Sequence, residues 1–413
     1  MGVDESDLNV LPRLRVMLTS EEKRVAICSG GNRPTEPGEV TPDTPLESLN
    51  LNWRERDLPQ KRRTKHVHGL HPYLGKFIPQ LAEVFLRKYF TPGQTVLDPF
   101  CGSGTTLIQA NELGMNVIGY DVSAFNVLLC RVKTARYNLA RARQEALDIL
   151  EKVRVATQSS IYPSTLRMDD PYLNQWFAPH ALRELLTYRH LIETEGYEYP
   201  DMLRIILSRS ARSARLTTHF DLDFPTRPQT EPYWCYKHSR VCQPTMEAFK
   251  FITRYSMDTL RRMEERAASR TDATVTVHHA DSRDVVFPPI DGAMTSPPYV
   301  GLIDYHEQHA YAYHLLGLED RRDNEIGPAA NGSSREARLQ YQGDIAAVFR
   351  RVSDSMPTGG RMIVVAGDRF HLYDEIASMV GVEVEGVVQR HVNRRTGRRS
   401  SEFYESVLIW RKR

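Results

Sequence analysis

The sequence predicts an α/β fold, a mixed sheet of seven strands built around a nucleoside-binding turn and interrupted by a mostly helical inserted subdomain. Three observations predict it. Short β-branched runs end in carboxylates at Asp98, Asp121 and Asp281. A glycine-rich turn, Gly102-Ser103-Gly104, joins the first of these runs to a helical pattern. Between residues 137 and 270 the strand–helix alternation gives way to apolar spacing of helical period.

Composition bounds the class. The chain has 413 residues, 41% hydrophobic and 26% charged, which fits a globular protein and excludes a disordered one. No apolar run approaches the roughly 20 residues of a membrane span, so no membrane association is expected. The acidic start (Asp4, Glu5, Asp7) carries no export signal. Five scattered cysteines suit reduced thiols in a cytoplasm. The net charge of +2 says little about partners, whereas its distribution says more. Lys61 to His66 is basic, and so is the stretch from Arg390 to Arg413, which includes Arg394, Arg395, Arg398 and Arg399. Such clusters suit a phosphate-backbone surface or a solvated face.

Taken in order, residues 1–60 form a polar N-terminal arm, with a short helix over 11–16 and a Pro/Thr/Glu/Gly-rich loop over 32–45. Pro79 opens an amphipathic helix carrying Leu81, Val84, Phe85 and Tyr89 inward. Residues 95–97 form a buried strand, and the helix after the glycine turn runs from Thr105 until Gly114 ends it. The turn has neither dinucleotide Gly-x-Gly-x-x-Gly spacing nor the Lys-Ser/Thr of a phosphate loop. A second strand, 116–121, ends in Asp121 about 20 residues after the turn, where a carboxylate accepts ribose hydroxyls. The competing reading of Asp121 is an N-cap for the next helix, 124–134; the two roles are compatible in space, and the ribose reading is preferred.

In the insert, helices are expected over 140–155, 181–192, 202–212 and 246–268. Arg209, Arg212, Arg215, Lys237 and Arg240 make its middle basic, and Phe220, Phe224, Tyr233, Trp234 and Tyr236 lie among them. That mixture suits nucleic acid or an internal interface. Cys235-x2-His238-x3-Cys242 offers three zinc ligands and no fourth, and His66, His68 and His71 lack partners at ligand spacing, so no metal is assigned. A third strand leads to Asp281, and a fourth, near 290–294, stops at Ser296 because Pro297 and Pro298 cannot continue a ladder. Residues 319–335 are a polar loop over the substrate, 345–353 a helix, and 360–368, 382–389 and 405–410 the remaining strands.

Two stretches carry a resemblance. Asp98-Pro99-Phe100-Cys101-Gly102-Ser103-Gly104-Thr105-Thr106 resembles the S-adenosylmethionine motif of the DNA amino-methyltransferases, and Ser296-Pro297-Pro298-Tyr299 resembles their catalytic tetrad in its N4-cytosine form. The resemblance implies a Rossmann-like methyltransferase domain over 61–136 and 271–413, with 137–270 as the helical insert that recognises the target. It implies that His71, Tyr73, Lys76 and Phe77 pack against the methionine end of the cofactor. Asp121 and Val122 would hold the ribose, Asp281 and Ser282 the adenine, and Ser296 would border cofactor and substrate alike. Partners implied are double-stranded DNA and a cognate restriction endonuclease, in a prokaryotic, nucleoid-associated setting.

The chemistry is consistent with the residue types. An exocyclic amine is a poor nucleophile because its lone pair is delocalised into the ring. Acceptors at Ser296 Oγ and the Pro297 carbonyl would turn that lone pair toward the methyl group, while Tyr299 stacks on the flipped base. C5-cytosine chemistry needs a cysteine thiolate where this chain has Tyr299. The expected reaction is N4-cytosine methylation, with N6-adenine methylation the close alternative. Further alternatives are an RNA amino-methyltransferase and a non-catalytic DNA-binding protein of the same fold.

Overall fold

The computed structural model describes residues 33–159, 166, 168–392 and 403–413. Its strands are β1 (Thr95–Asp98), β2 (Asn116–Asp121), β3 (Tyr233–Cys235), β4 (Arg240–Cys242), β5 (Val275–His279), β6 (Gly292–Thr295), β7 (Arg361–Ala366), β8 (Glu383–Val392) and β9 (Phe403–Arg411). Seven of them form one sheet in the order β5-β2-β1-β6-β7-β9-β8. β9 runs antiparallel to both β7 and β8, and the other pairings are parallel. Strand order reverses between β1 and β6. The crevice at the carboxyl ends of those two strands is where such sheets bind ligands.

Both faces of β1 are buried. Val96 joins a core with Phe85, Leu107, Met294 and Ile363. Its neighbour Leu97 points the other way, into a core with Tyr120, Phe349, Val364 and Trp410. That alternation is the period-2 signature of a strand covered on both sides. The long helices Leu139–Ser159, Pro179–Thr194, Pro200–Ala214 and Phe249–Ala267 build a third core. That core is continuous with Phe125 and Leu129 of the helix Ala124–Thr134 and with Tyr311 and Leu315 of the helix Ala310–Leu316. The insert is thus seated on the sheet domain through apolar packing.

Three expectations change. The helix predicted over 345–353 spans Arg335–Ser355, because the Ser334 side chain caps it by accepting from the Ala337 N–H. The segment before residue 60 is no free arm from Thr35 onward. Val40, Leu49 and Leu51 are buried against Phe85, and the Thr35 N–H donates to the Asn50 carbonyl. The helix expected over 11–16 lies outside the described residues. Finally, residues 217–244 contain a small two-stranded sheet, β3 paired antiparallel with β4, within an otherwise helical insert.

Candidate active site

The glycine turn forms where β1 gives way to the helix Thr105–Glu112. Gly102 and Gly104 have φ of +48° and +80°, in the left-handed region that favours glycine. A Cβ at Gly104 would lie 3.0 Å from Cys130 Sγ, and one at Gly102 would lie 3.1 Å from the Tyr73 hydroxyl. Backbone therefore runs bare past the N-terminus of the helix, which is the arrangement that meets a nucleoside with main-chain N–H groups.

Asp121 braces this turn. Its Oδ2 accepts the Gly102 N–H at 2.8 Å, and its Oδ1 accepts the Ser123 N–H at 2.9 Å and Asn126 Nδ2 at 3.1 Å. Capping of the next helix falls to the Ser123 hydroxyl, which accepts from the Asn126 N–H, and so Asp121 remains at the cleft. Burial pushes Asp121 up to about 6 against the pull of those donors. Asp98 is pushed up to about 6 by the same cause. Asp98 is buried behind the turn, where it accepts from Thr295 Oγ1 at 2.6 Å and ties the ends of β1 and β6 together.

These elements surround a cleft of about 810 Å³. Of the predicted cofactor residues, Tyr73, Lys76, Phe77, Pro99, Phe100, Cys101, Gly102, Ser103, Thr105, Asp121, Val122, Asp281, Ser282 and Ser296 line it. His71, Asp98, Gly104 and Thr106 stand outside its wall. His71 is buried with Nδ1 against the Pro72 carbonyl and Nε2 3.3 Å from Ser208 Oγ. Thr106 donates to the Met294 carbonyl. Lys76 turns its ammonium to the His68 carbonyl at 2.7 Å, and burial lowers it to about 8. Asp281 is clamped by Arg283, at 2.6 Å from Nη2. Burial alone would raise its carboxyl, and the Arg283 bonds outweigh that and hold it below the usual range.

Sequence reasoning missed Asn126, Ser123, Asn324 and Glu325, all on the cleft wall. Asn126 carried a usable signal, lying in the first turn of the helix that follows Asp121. Asn324 and Glu325 sit in the polar loop predicted over 319–335, where no periodicity marks individual positions. Glu325 accepts the backbone N–H groups of Tyr305 and His306 and so fixes that loop beside Tyr305.

The tetrad leaves β6 as expected. Ser296 and Pro298 line the same cleft, while Pro297 and Tyr299 do not. The Pro298 carbonyl accepts from the Tyr341 hydroxyl at 2.9 Å, and that hydroxyl lies 2.7 Å from the Tyr373 hydroxyl. Tyr299 is half-buried, and its hydroxyl donates to Glu405 Oε1 at 3.3 Å and hydrogen-bonds Ser296. Glu405 in turn pairs with Arg390 at 2.8 Å, both buried. Arg390, grouped with the basic tail by sequence, therefore belongs to the packing behind the tetrad.

The nucleic-acid assignments divide. Arg209 pairs with Asp258 at 2.6 Å and stacks on Tyr255, and Arg212 pairs with Asp223 at 2.5 Å. Arg215 is buried, donates to the Leu222 carbonyl and lies over the Tyr311 ring. These three hold the insert together, which corrects their expected role as phosphate contacts. Lys237 and Arg240 are exposed on the β3–β4 hairpin. Arg394, Arg395, Arg398 and Arg399 lie outside the described residues. At the base of the same hairpin, His219 lies close to Cys235, His238 and Cys242, a fourth side chain beside the three that the sequence grouped.

Comparison with known proteins shows the family of the chain. Residues 33–129 match the N6/N4 family described as DNA methylase. The type II methyltransferase M.MjaII of Methanocaldococcus jannaschii is 34% identical, over 85% of this chain and 81% of its own length. The type II methyltransferase M.BsoBI of Geobacillus stearothermophilus is 21% identical, over 65% of this chain and 56% of its own length. Among solved structures, a methyltransferase from Pyrococcus furiosus superposes with a TM-score of 0.34 at 10% identity, covering 85% of this chain and 93% of that one.

Proposed function

Because the chain belongs to the DNA amino-methyltransferases of type II restriction–modification kind, with S-adenosylmethionine as cofactor, we propose that it methylates the N4 amine of a cytosine flipped out of duplex DNA. The observation that carries the proposal is the placement of Ser296 on the same cleft wall as the glycine turn and Asp121. Cofactor half and acceptor half thus meet at the reversal of strand order.

The residues present suit the cofactor. The bare turn at Gly102 to Gly104 admits a nucleoside, and Asp121 retains lone pairs for ribose hydroxyls. Asp121 and Glu325 put carboxylates on the cleft wall, which favours a sulfonium cation. When bound, S-adenosylmethionine supplies an electrophilic methyl group. Ser296 Oγ and the Pro297 carbonyl accept the hydrogens of the target amine and orient its lone pair. The two prolines and the Tyr341 bond to the Pro298 carbonyl keep those acceptors from relaxing, so little reorganisation is needed. The Tyr299 ring stacks on the extruded base. Serine at the head of the tetrad favours the N4 reading, and the insert is proposed as the target-recognition region. A cognate endonuclease is the proposed genetic partner.

Tritiated methyl transfer to duplex DNA tests the assignment. Ser296→Ala should lose on the order of 10²–10³-fold in transfer rate, with cofactor affinity kept within about twofold. Equal incorporation by variant and wild type would remove Ser296 from the reaction.

A further inference from the structure

The hairpin β3–β4 has little to hold it. Its strands are three residues each, and they pair only with one another. An isolated two-stranded hairpin is marginal in water. Around it Phe220, Phe224, Trp234, Tyr236, Val241 and Met246 are exposed, so the segment gains little from apolar burial. Ser239, in the turn, has φ of +51°, a left-handed conformation that a serine holds only when its surroundings impose it.

Four side chains converge at the hairpin's base. One potential ligand atom from each of His219, Cys235, His238 and Cys242 lies within 4.8 Å of all the others. Cys235 Sγ is 3.5 Å from His219 Nδ1 and 3.6 Å from His238 Nδ1, and Cys242 Sγ is 3.5 Å from His238 Nδ1. Tetrahedral zinc, with Zn–S of about 2.3 Å and Zn–N of about 2.0–2.1 Å, has S···N edges of about 3.6 Å. Both cysteines are buried free thiols. The Tyr233 hydroxyl, 2.7 Å from His219 Nδ1, competes for that lone pair and also accepts the His219 backbone N–H at 3.1 Å. A metal on Nδ1 would leave the hydroxyl its second bond.

We propose that His219, Cys235, His238 and Cys242 form a structural zinc site that staples the hairpin, and with it Lys237 and Arg240, to the segment following the helix Pro200–Ala214. Closed four-ligand sets of this kind are structural, because no coordination position remains for substrate. The site lies outside the residues assigned to methyl transfer, so the inference stands or falls independently of the reaction.

The test uses the full chain, purified without chelator, reconstituted with zinc sulfate and desalted. Elemental analysis should find about one zinc per chain, and cobalt(II) substitution should give the intense visible bands of a tetrahedral thiolate site. His219→Ala and Cys242→Ser should each weaken zinc binding by at least about 10–100-fold in competition with a chromogenic chelator, since loss of a ligand costs no less than loss of its support. The cobalt spectrum of the wild-type chain is independent of how the variants fold. Absence of retained zinc, an octahedral cobalt spectrum, or a Cys235–Cys242 disulfide in a non-reduced digest would overturn the site. Unchanged affinity in His219→Ala would overturn the four-ligand set.

Discussion

Tyr299 is the residue at which the proposed reaction is most sharply tested. Its hydroxyl is tied to Glu405 and Ser296, and the proposal gives its ring, not its hydroxyl, the contact with the base. Stacking of a base on an aromatic ring contributes about 1–3 kcal/mol. Tyr299→Phe should therefore keep kcat/KM within a few-fold, whereas Tyr299→Ala should lose about 5–150-fold in steady-state assays on duplex DNA. Asp121 makes a second prediction, through pH. Burial raises its carboxyl to about 6 in the ligand-free fold, so between roughly pH 4 and 6 the folded chain binds more protons than the unfolded one. Its contribution to stability is present below the unfolded value and is lost as pH rises through about 6. The ionised form is the better acceptor for ribose hydroxyls, so cofactor affinity should move in the opposite direction and weaken as pH falls below about 6. Calorimetric titration of S-adenosylmethionine from about pH 5 to about 7.5 would show no such trend if Asp121 did not hold the ribose.

At the scale of elements, β8 and β9 support the tetrad from behind. Arg390 and Glu405 face each other across the strand pair with both side chains buried, and removing one partner leaves an uncompensated charge. Glu405→Ala should cost about 3–5 kcal/mol in urea unfolding, and a cost below about 1 kcal/mol would mean the pair is effectively solvated. The elements also explain what the sequence made legible. The glycine turn, the carboxylates ending β1 and β2, and the proline stop after β6 are local signals, written within a few residues by backbone chemistry, and each appears at its expected place. Long-range partners leave no such trace. Arg209 meets Asp258 across 49 positions and Arg212 meets Asp223 across 11, so a run of arginines that reads as a phosphate surface is instead an internal scaffold. His219 lies 16 positions before Cys235 with no local pattern joining the two, so only the fold shows that they meet.

For the whole molecule, the proposed reaction gives the sheet the cleft and the insert the reach to DNA. The two share an apolar core through Phe125 and Tyr311, which seats the helices of the insert on the sheet domain. With a net charge of only +2, affinity for DNA must come from local cations. Lys237→Ala and Arg240→Ala should each reduce the slope of log affinity against log salt by about 1, measured by fluorescence anisotropy with duplex DNA. Unchanged slopes would place the phosphate contacts elsewhere on the surface. The most direct test of the proposed reaction is mass analysis of nucleosides from duplex DNA incubated with the enzyme and S-adenosylmethionine. N4-methylcytosine is the expected product, and N6-methyladenine in its place would contradict the assignment of Ser296 to the cytosine amine.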